Sequence, residues 1–367
     1  MGSNANDYRK INIREVSPSM ALAKSIEGEG GQIIIPKDTL ITLADIRELE
    51  RLGVTELFIK TADINDISPD DENINYSKEK IEVVSRPEFQ RVNDAYIEST
   101  NELKSVLNDI GKGQKIDMNA LYSLASNVMD KIKSKSEIFT YIGFLETFDE
   151  GTYAHSNNVA LLCNVFGRWL GMSNSELEYL TVAGILHDIG KTQVNQTILN
   201  KPSKLTDEEF KEIKKHTILG YRILENQNIP NEIKLSALMH HEKIDGSGYP
   251  TGAKENQINQ FAKIVAICDI YDAMTANRVY RKKILPFEVI KTFERNSYGQ
   301  LDTKYLLVFI QNIAYNYIGS WVKLSNGMEG EIVFINKSNL SRPMVKLESG
   351  DVLDLSSNYD INITNLF

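Results

Sequence analysis

From residue 138 to residue 317 the chain carries apolar side chains at helical spacing almost throughout, punctuated by Gly, Pro and capping signals such as Thr206-Asp207-Glu208-Glu209. A stretch of that length with one period buries its apolar faces only against further helices, so the largest core is predicted to be helix on helix. Polar residues nevertheless stand where apolar ones belong. His187 and Asp188 directly follow Val182-Ala183-Gly184-Ile185-Leu186, and Asp269 sits inside Ile264-Val265-Ala266-Ile267-Cys268-Asp269-Ile270. His216 is predicted on the inner face of a helix with Phe210, Ile213, Gly220 and Leu224. A buried carboxylate or imidazole is costly alone, so each of these needs a partner.

The flanks read differently. Met20 to Ile26 and Gln32 to Ile35 are predicted strands joined by a Gly-rich turn, Thr42 to Leu52 a short helix that Gly53 can end, and Val54 to Ile59 a further strand. Residues 62–77 are acidic and poor in large apolar side chains, as a solvated linker is. Phe89, Val92, Tyr96, Leu103, Leu107 and Ile110 then mark one helix face, and Leu121, Leu124, Val128, Met129 and Ile132 a second. Such stripes ordinarily pack within their own chain; a homodimer or a signal-transmitting hairpin through the helices before residue 138 is the alternative use. After Gly319 come short β-prone runs, Trp321 to Leu324, Glu331 to Ile335, Met344 to Leu347 and Val352 to Leu355, separated by Asn-Gly and Ser-Gly turns. The expected architecture is multi-domain and mainly α. It comprises a small α+β unit (6–61), the acidic linker (62–77), a helical hairpin or connector (78–137), an all-α bundle (138–318) and a small β unit (319–367).

The net charge of -9 argues against binding polymeric nucleic acid, which recruits clustered Lys and Arg. No run approaches eighteen apolar residues and no charged-then-apolar leader opens the chain, so no membrane span is expected and a cytoplasmic location is. Cys163 and Cys268 stand far apart inside apolar helical patterns and read as small buried hydrophobes.

All five histidines, His155, His187, His216, His240 and His241, fall between residues 155 and 241. With Asp188 and Asp269 they make a set of imidazoles and carboxylates without thiolate, suited to first-row metals rather than to structural zinc. Seven ligands exceed the needs of one ion, and a carboxylate can bridge two, so a binuclear centre is expected. Such a centre lowers the pKa of a shared water, aims it at phosphorus and neutralises phosphoryl oxygens.

His187-Asp188-Ile189-Gly190-Lys191 resembles the HD motif of the HD phosphohydrolases, and His240-His241-Glu242-Lys243-Ile244-Asp245-Gly246-Ser247-Gly248-Tyr249-Pro250 resembles the motif that names the HD-GYP subfamily. His155, His216 and Cys268-Asp269-Ile270-Tyr271-Asp272-Ala273-Met274-Thr275 extend the resemblance over 138–316. The resemblance implies an all-α bundle and hydrolysis of cyclic di-GMP to linear pGpG, to GMP, or to both, by a binuclear metal-activated hydroxide. It implies two transition-metal ions, iron or manganese before nickel or cobalt, held by His155, His187, Asp188, His216, His240, His241 and Asp269. Asp188 would bridge them, and Lys191 would contact a substrate phosphate and stabilise transition-state charge. Gly248, Tyr249 and Pro250 would form a loop beside the substrate, and Arg278 and Arg281 would grip its guanine or phosphate groups. Family members with a third metal have a glutamate four residues before the first histidine; here that position is Gly151, with Glu150 one place out of register, which implies two ions. The alternatives are a catalytically silent cyclic di-GMP receptor and a hydrolase of another cyclic dinucleotide.

Overall fold

The computed structural model describes residues 8–13, 16, 20, 22–27, 33–35, 37, 41, 49, 54–60, 86–133, 138–142, 145, 152–201, 203–275 and 284–366. The chain divides into two compact units, 1–86 and 87–367.

In the first unit, β1 (Tyr8–Asn12), β2 (Ile26–Glu27), β3 (Ile33–Ile35) and β4 (Glu56–Lys60) form two antiparallel pairs, β1 with β4 and β2 with β3. Ile11, Leu22, Ile35, Ile41, Leu49 and Leu57 share one small core. The strand expected over Met20 to Ile26 contracts to its last residue, and β1 has no counterpart in the sequence reading because Tyr8-Arg9-Lys10-Ile11-Asn12 lacks a run of β-branched residues. The helix expected over Thr42 to Leu52 lies outside the described residues except at Leu49, which is helical.

The second unit opens with α1 (Pro87–Gly111) and α2 (Met118–Met129), whose N-terminus is capped by the Asp117 carboxylate accepting from Ala120 N at 3.0 Å. The stripe from Phe89 to Ile110 is buried against the rest of this unit, so the chain uses that face itself. There follow α3 (Ile138–Tyr141), α4 (Thr152–Trp169), α5 (Asn174–Leu186), a 3-10 turn (Ile189–Gln193), α6 (Gln196–Leu199), α7 (Asp207–Lys214), α8 (His216–Leu224) and α9 (Asn231–Met239). A second 3-10 turn (Glu255–Gln257), α10 (Gln260–Thr275), α11 (Pro286–Asn296) and α12 (Thr303–Tyr315) complete the helices. Capping boxes at Ser173/Glu176 and Thr206/Glu209 start α5 and α7.

Helices α4, α5 and α10 form the centre and touch one another, with α9 against α5 and α10 and with α1 against α4. Apolar residues surround α5 and α10 almost completely, which explains why their sequences show no polar face. A Cβ at Gly184 of α5 would lie 2.8 Å from Ala160 Cα of α4, so glycine sets that close crossing. Phe139, Phe166, Trp169, Tyr271 and Phe309 fill the far end with edge-on and stacked rings.

The chain closes in an antiparallel sheet of order β8-β7-β6-β5-β9, from β5 (Trp321–Leu324), β6 (Glu329–Phe334), β7 (Met344–Leu347), β8 (Val352–Asp354) and β9 (Ile363–Leu366). The first four match runs seen in the sequence; β9 does not, since only Ile363 and Asn365 turn inward. The buried Arg342 guanidinium holds the loop leading to β9, donating to the carbonyls of Leu355, Asn358 and Ile361 and to Asn362 Oδ1.

Candidate metal centre

Five segments deliver the polar side chains to one place. His155 projects from the first turn of α4, His187 and Asp188 end α5, His216 begins α8, His240 and His241 follow α9, and Asp269 lies in α10. All seven residues that the sequence singled out as metal ligands converge. They fall into two groups, Asp188, His216, His240 and His241 in one and His155, His187 and Asp269 in the other, with the ligand atoms of each within 4.8 Å of one another.

Glycines permit this convergence. A Cβ on Gly190 would sit 1.9 Å from the His216 carbonyl oxygen and 2.4 Å from Gly220 N, so only glycine lets the turn after Asp188 lie against α8. A Cβ on Gly248 would meet Lys243 N at 2.4 Å and the His241 carbonyl oxygen at 2.5 Å, so the Gly248-Tyr249-Pro250 loop folds directly over His241 and Glu242. Tyr249 N donates to the His241 carbonyl at 3.2 Å, and the Tyr249 and His241 ring centroids are 4.8 Å apart. The buried Glu242 carboxylate anchors the loop's far side, accepting from Thr251 N and Oγ1 at 2.7 Å each and from Ala253 N at 3.0 Å.

The hydrogen bonds fix the imidazole tautomers. His187 Nδ1 lies 2.7 Å from the Gly184 carbonyl, His216 Nδ1 2.7 Å from that of Ile213, and His240 Nδ1 3.0 Å from that of Ser236. A carbonyl only accepts, so each Nδ1 carries the proton and each Nε2 turns a lone pair inward. Burial lowers His240 well below the ordinary histidine range and His241 to about 4, and it lowers His216 too; all three are neutral near pH 7. His155 differs: burial opposes its charge, but hydrogen bonds to Asp269 and Asp272 prevail and raise it to about 10. Burial would raise the two carboxyls of the cluster, yet the Lys191 ammonium and the His187 imidazole hold Asp188 well below its usual range, and the bond to His155 does the same for Asp269.

The Asp188 carboxylate stands between the two groups. Its Oδ1 is 3.3 Å from His216 Nε2 and 3.7 Å from His240 Nε2, whereas its Oδ2 is 3.4 Å from His187 Nε2 and 3.7 Å from His155 Nε2. Asp269 lines the more open side, with Oδ1 at 3.0 Å from His155 Nε2 and Oδ2 at 3.7 Å from His241 Nδ1. His187 Nε2 and Asp188 Oδ1 are wholly buried and have no hydrogen-bond partner among the described residues. Stranding such atoms costs about 1–3 kcal/mol apiece, a penalty that a cation accepting both lone pairs removes, so this donor set fits a metal.

At the rim, Lys191 pairs with Asp188 and is one fifth exposed. Lys214 Nζ lies 4.7 Å from the Phe210 ring centroid and 4.9 Å from that of Tyr249. Phe210 was expected inside and is instead 47% exposed, because the expected single helix breaks at Lys215 into α7 and α8 and the apolar phase does not carry across. Arg278, Arg281, Glu150 and Gly151 lie outside the described residues. The sequence reading missed Asp272, Asn158 and Glu242 as parts of the site. Asp272 Oδ2 lies 2.7 Å from His155 Nδ1, and its Oδ1 accepts from Asn158 Nδ2 at 2.9 Å. The signal available was position, since Asp272 lies one helical turn after Asp269 and Asn158 one turn after His155.

Comparison with known proteins matches this part of the chain. Residues 140–304 match the family model of the HD domain. The cyclic di-GMP phosphodiesterase PA4108 of Pseudomonas aeruginosa is 33% identical over 244 residues, which cover 66% of this chain and 59% of that protein. The 3'3'-cGAMP-specific phosphodiesterase 3 of Vibrio cholerae is 34% identical over 151 residues, covering 41% of this chain and 33% of that one. This chain thus spans less than two thirds of the length of either relative. Among solved structures, Bd1817, an HDG"Y"P protein from Bdellovibrio bacteriovorus, superposes with a TM-score of 0.52 at 17% identity, covering 84% of this chain and 99% of that one, a likeness of fold alone. The His187-Asp188 and Gly248-Tyr249-Pro250 motifs both lie within the segment that matches the HD domain, and the chain is similar to phosphodiesterases of cyclic di-GMP and of 3'3'-cGAMP.

Proposed function

We propose that this chain is a metal-dependent phosphodiesterase that hydrolyses cyclic di-GMP to pGpG, GMP or both. The observation that carries the reading is the division of seven imidazole and carboxylate ligands into two groups with Asp188 facing both. His216, His240 and His241 with Asp188 Oδ1 would hold one ion; His155, His187 and Asp269 with Asp188 Oδ2 would hold the other. Iron or manganese suits nitrogen and oxygen ligands of this kind, with nickel or cobalt as alternatives. Two such ions, when bound, supply an activated water and neutralise the oxygens of the phosphodiester under attack.

The chain's own residues do the rest. The carbonyls of Gly184, Ile213 and Ser236 keep three imidazoles aimed at the centre without reorganisation during reaction. Lys191 reaches the same carboxylate from the exposed side and, by exchanging Asp188 for a phosphoryl oxygen, stabilises charge that develops there. Tyr249, held by Gly248 and Pro250 over His241, offers a flat wall on the substrate side, and Arg278 and Arg281 supply the remaining positive charge for an anionic dinucleotide. The apolar stripe of α1 is engaged within the chain, so a homodimer would use another face. Cys163 and Cys268 are free and buried, and no helix among the described residues is long and apolar enough to cross a membrane; a cytoplasmic site of action accords with both.

A second substrate has one specific observation behind it, the similarity to a phosphodiesterase specific for 3'3'-cGAMP. The deciding experiment incubates protein loaded anaerobically with iron or manganese with cyclic di-GMP and, separately, with 3'3'-cGAMP, and separates the nucleotides. Linear dinucleotide or GMP from cyclic di-GMP supports the proposal. Cleavage of 3'3'-cGAMP alone transfers it to the second substrate, and tight binding of unchanged cyclic di-GMP identifies a receptor.

A further inference from the structure

Helix α1 precedes the HD domain, which matches from residue 140 onward, yet a side chain of α1 reaches the ligand network. Tyr96, 1% exposed, lies with its hydroxyl 2.5 Å from Asn158 Oδ1 and 3.2 Å from the Ala154 carbonyl, both in α4. Asn158 Nδ2 in turn donates to Asp272 Oδ1 at 2.9 Å, and Asp272 Oδ2 lies 2.7 Å from His155 Nδ1. Three buried side chains thus connect α1 to His155, and among the described residues no other imidazole of the cluster has a carboxylate hydrogen-bonded to its Nδ1.

The direction of each bond follows from what each group can do. The Asp272 carboxylate only accepts, so it demands the NH2 end of the Asn158 amide and leaves the amide oxygen to accept from the Tyr96 phenol, which burial and the nearby Asp272 charge keep protonated. The reverse orientation would set an amide oxygen against a carboxylate. With one oxygen so engaged, the Asp272 carboxylate is held in plane to receive His155 Nδ1–H, which leaves Nε2 facing Asp269 and Asp188. A carboxylate behind a ligating imidazole fixes its tautomer and raises its basicity, and loss of such support typically weakens metal binding about 10–100-fold.

We propose that Tyr96, outside the HD domain, is a positioning residue of the metal centre, acting through Asn158 and Asp272 to hold His155 in its ligating tautomer and orientation. The inference rests on the reading of the cluster as a metal centre. It makes α1 a working part of that centre, so that a shift of α1 against α4 is felt at one ligand group and not at the other.

The test titrates chelator-treated full-length protein with manganese against a fluorescent chelator, comparing the wild type, Tyr96→Phe, Asn158→Ala and the double variant. Phenylalanine keeps the buried ring and removes only the donor. The expected result is two sites in the wild type, one weakened in Tyr96→Phe by about 3- to 30-fold, below the full range because the effect passes through two further bonds, and the other unchanged. Adding Tyr96→Phe to Asn158→Ala should weaken binding no further, since the connection is already cut. Unchanged affinity in a Tyr96→Phe protein whose melting temperature has dropped would overturn the inference and leave Tyr96 a packing residue, as would additive losses. If Tyr96→Phe does not fold, Asn158→Ala reports on the same connection, and wild-type affinity there overturns the inference. A wild type that binds no manganese would instead remove the metal reading itself.

Discussion

Asp188 Oδ1 lies 3.3 Å from His216 Nε2, and both side chains are 1% exposed, although neither atom carries a proton to share. Two facing lone pairs at that distance in a buried site repel unless a cation lies between them. Asp188→Ala is therefore expected to abolish hydrolysis and to lower metal content from two ions per chain to one or fewer. The fold should survive, because the neighbouring imidazoles keep their backbone bonds. Elemental analysis and circular dichroism of the variant check both parts; an active variant would show that Asp188 does not bridge.

Gly190→Ala tests the close approach that brings His216 to Asp188. The added methyl would meet the His216 carbonyl at 1.9 Å and Gly220 N at 2.4 Å, both backbone atoms that move only with α8. Overpacking of this kind costs about 1–3 kcal/mol. The melting temperature should fall and metal affinity should fall with it, since the displaced segment carries a ligand; a variant with unchanged melting and unchanged metal affinity would refute the steric account.

The pattern of what could be read in advance has a physical cause. His187, Asp188 and Asp269 stood out because charged or titratable groups interrupt runs of apolar residues, and the structure brings them together with the remaining four histidines. Asp272, Asn158 and Glu242 did not, because their roles depend on which segment faces them: Asp272 is defined by α4, and Glu242 by donors nine and eleven residues further along the chain. Phe210 misled for a related reason, as helical phase is continuous in sequence but ends in the structure at Lys215. In the sheet, β9 was illegible because its pairing with β5 spans some forty residues and its own pattern is two inward side chains.

Glu242→Ala should separate substrate handling from metal binding. Its carboxylate accepts three hydrogen bonds that hold the chain just after the Gly248-Tyr249-Pro250 loop, and it belongs to neither ligand group. Leaving those donors unpaired costs about 1–3 kcal/mol of stability. Turnover assays should show a raised KM with metal content still at two ions, whereas loss of an ion would give Glu242 a place nearer the metals.

The chelator-treated protein should have a stability maximum near pH 6.5. His241 is depressed from 6.5 to about 4, and His216 and His240 are depressed as well, so below pH 6.5 the unfolded chain binds more protons and stability falls as pH drops towards 4. For His241 alone the loss is on the order of 3 kcal/mol. His155, raised from 6.5 to about 10, works in the opposite sense: its contribution is complete below pH 6.5 and is lost as pH rises through 10. Bound metal should abolish that alkaline loss, because a ligating imidazole nitrogen carries no proton. Thermal melts from pH 4.5 to 9, with and without manganese, check this, and a flat profile between pH 4.5 and 6.5 for the chelated protein would contradict it.

The most direct measurement is anomalous diffraction from crystals of the protein reconstituted with manganese or iron, collected across the absorption edge of the metal. Two peaks are predicted, one among His216, His240 and His241 and the other among His155, His187 and Asp269, with the Asp188 carboxylate between them. A single peak, or none after full reconstitution, would contradict the two-metal centre from which the proposed hydrolysis follows.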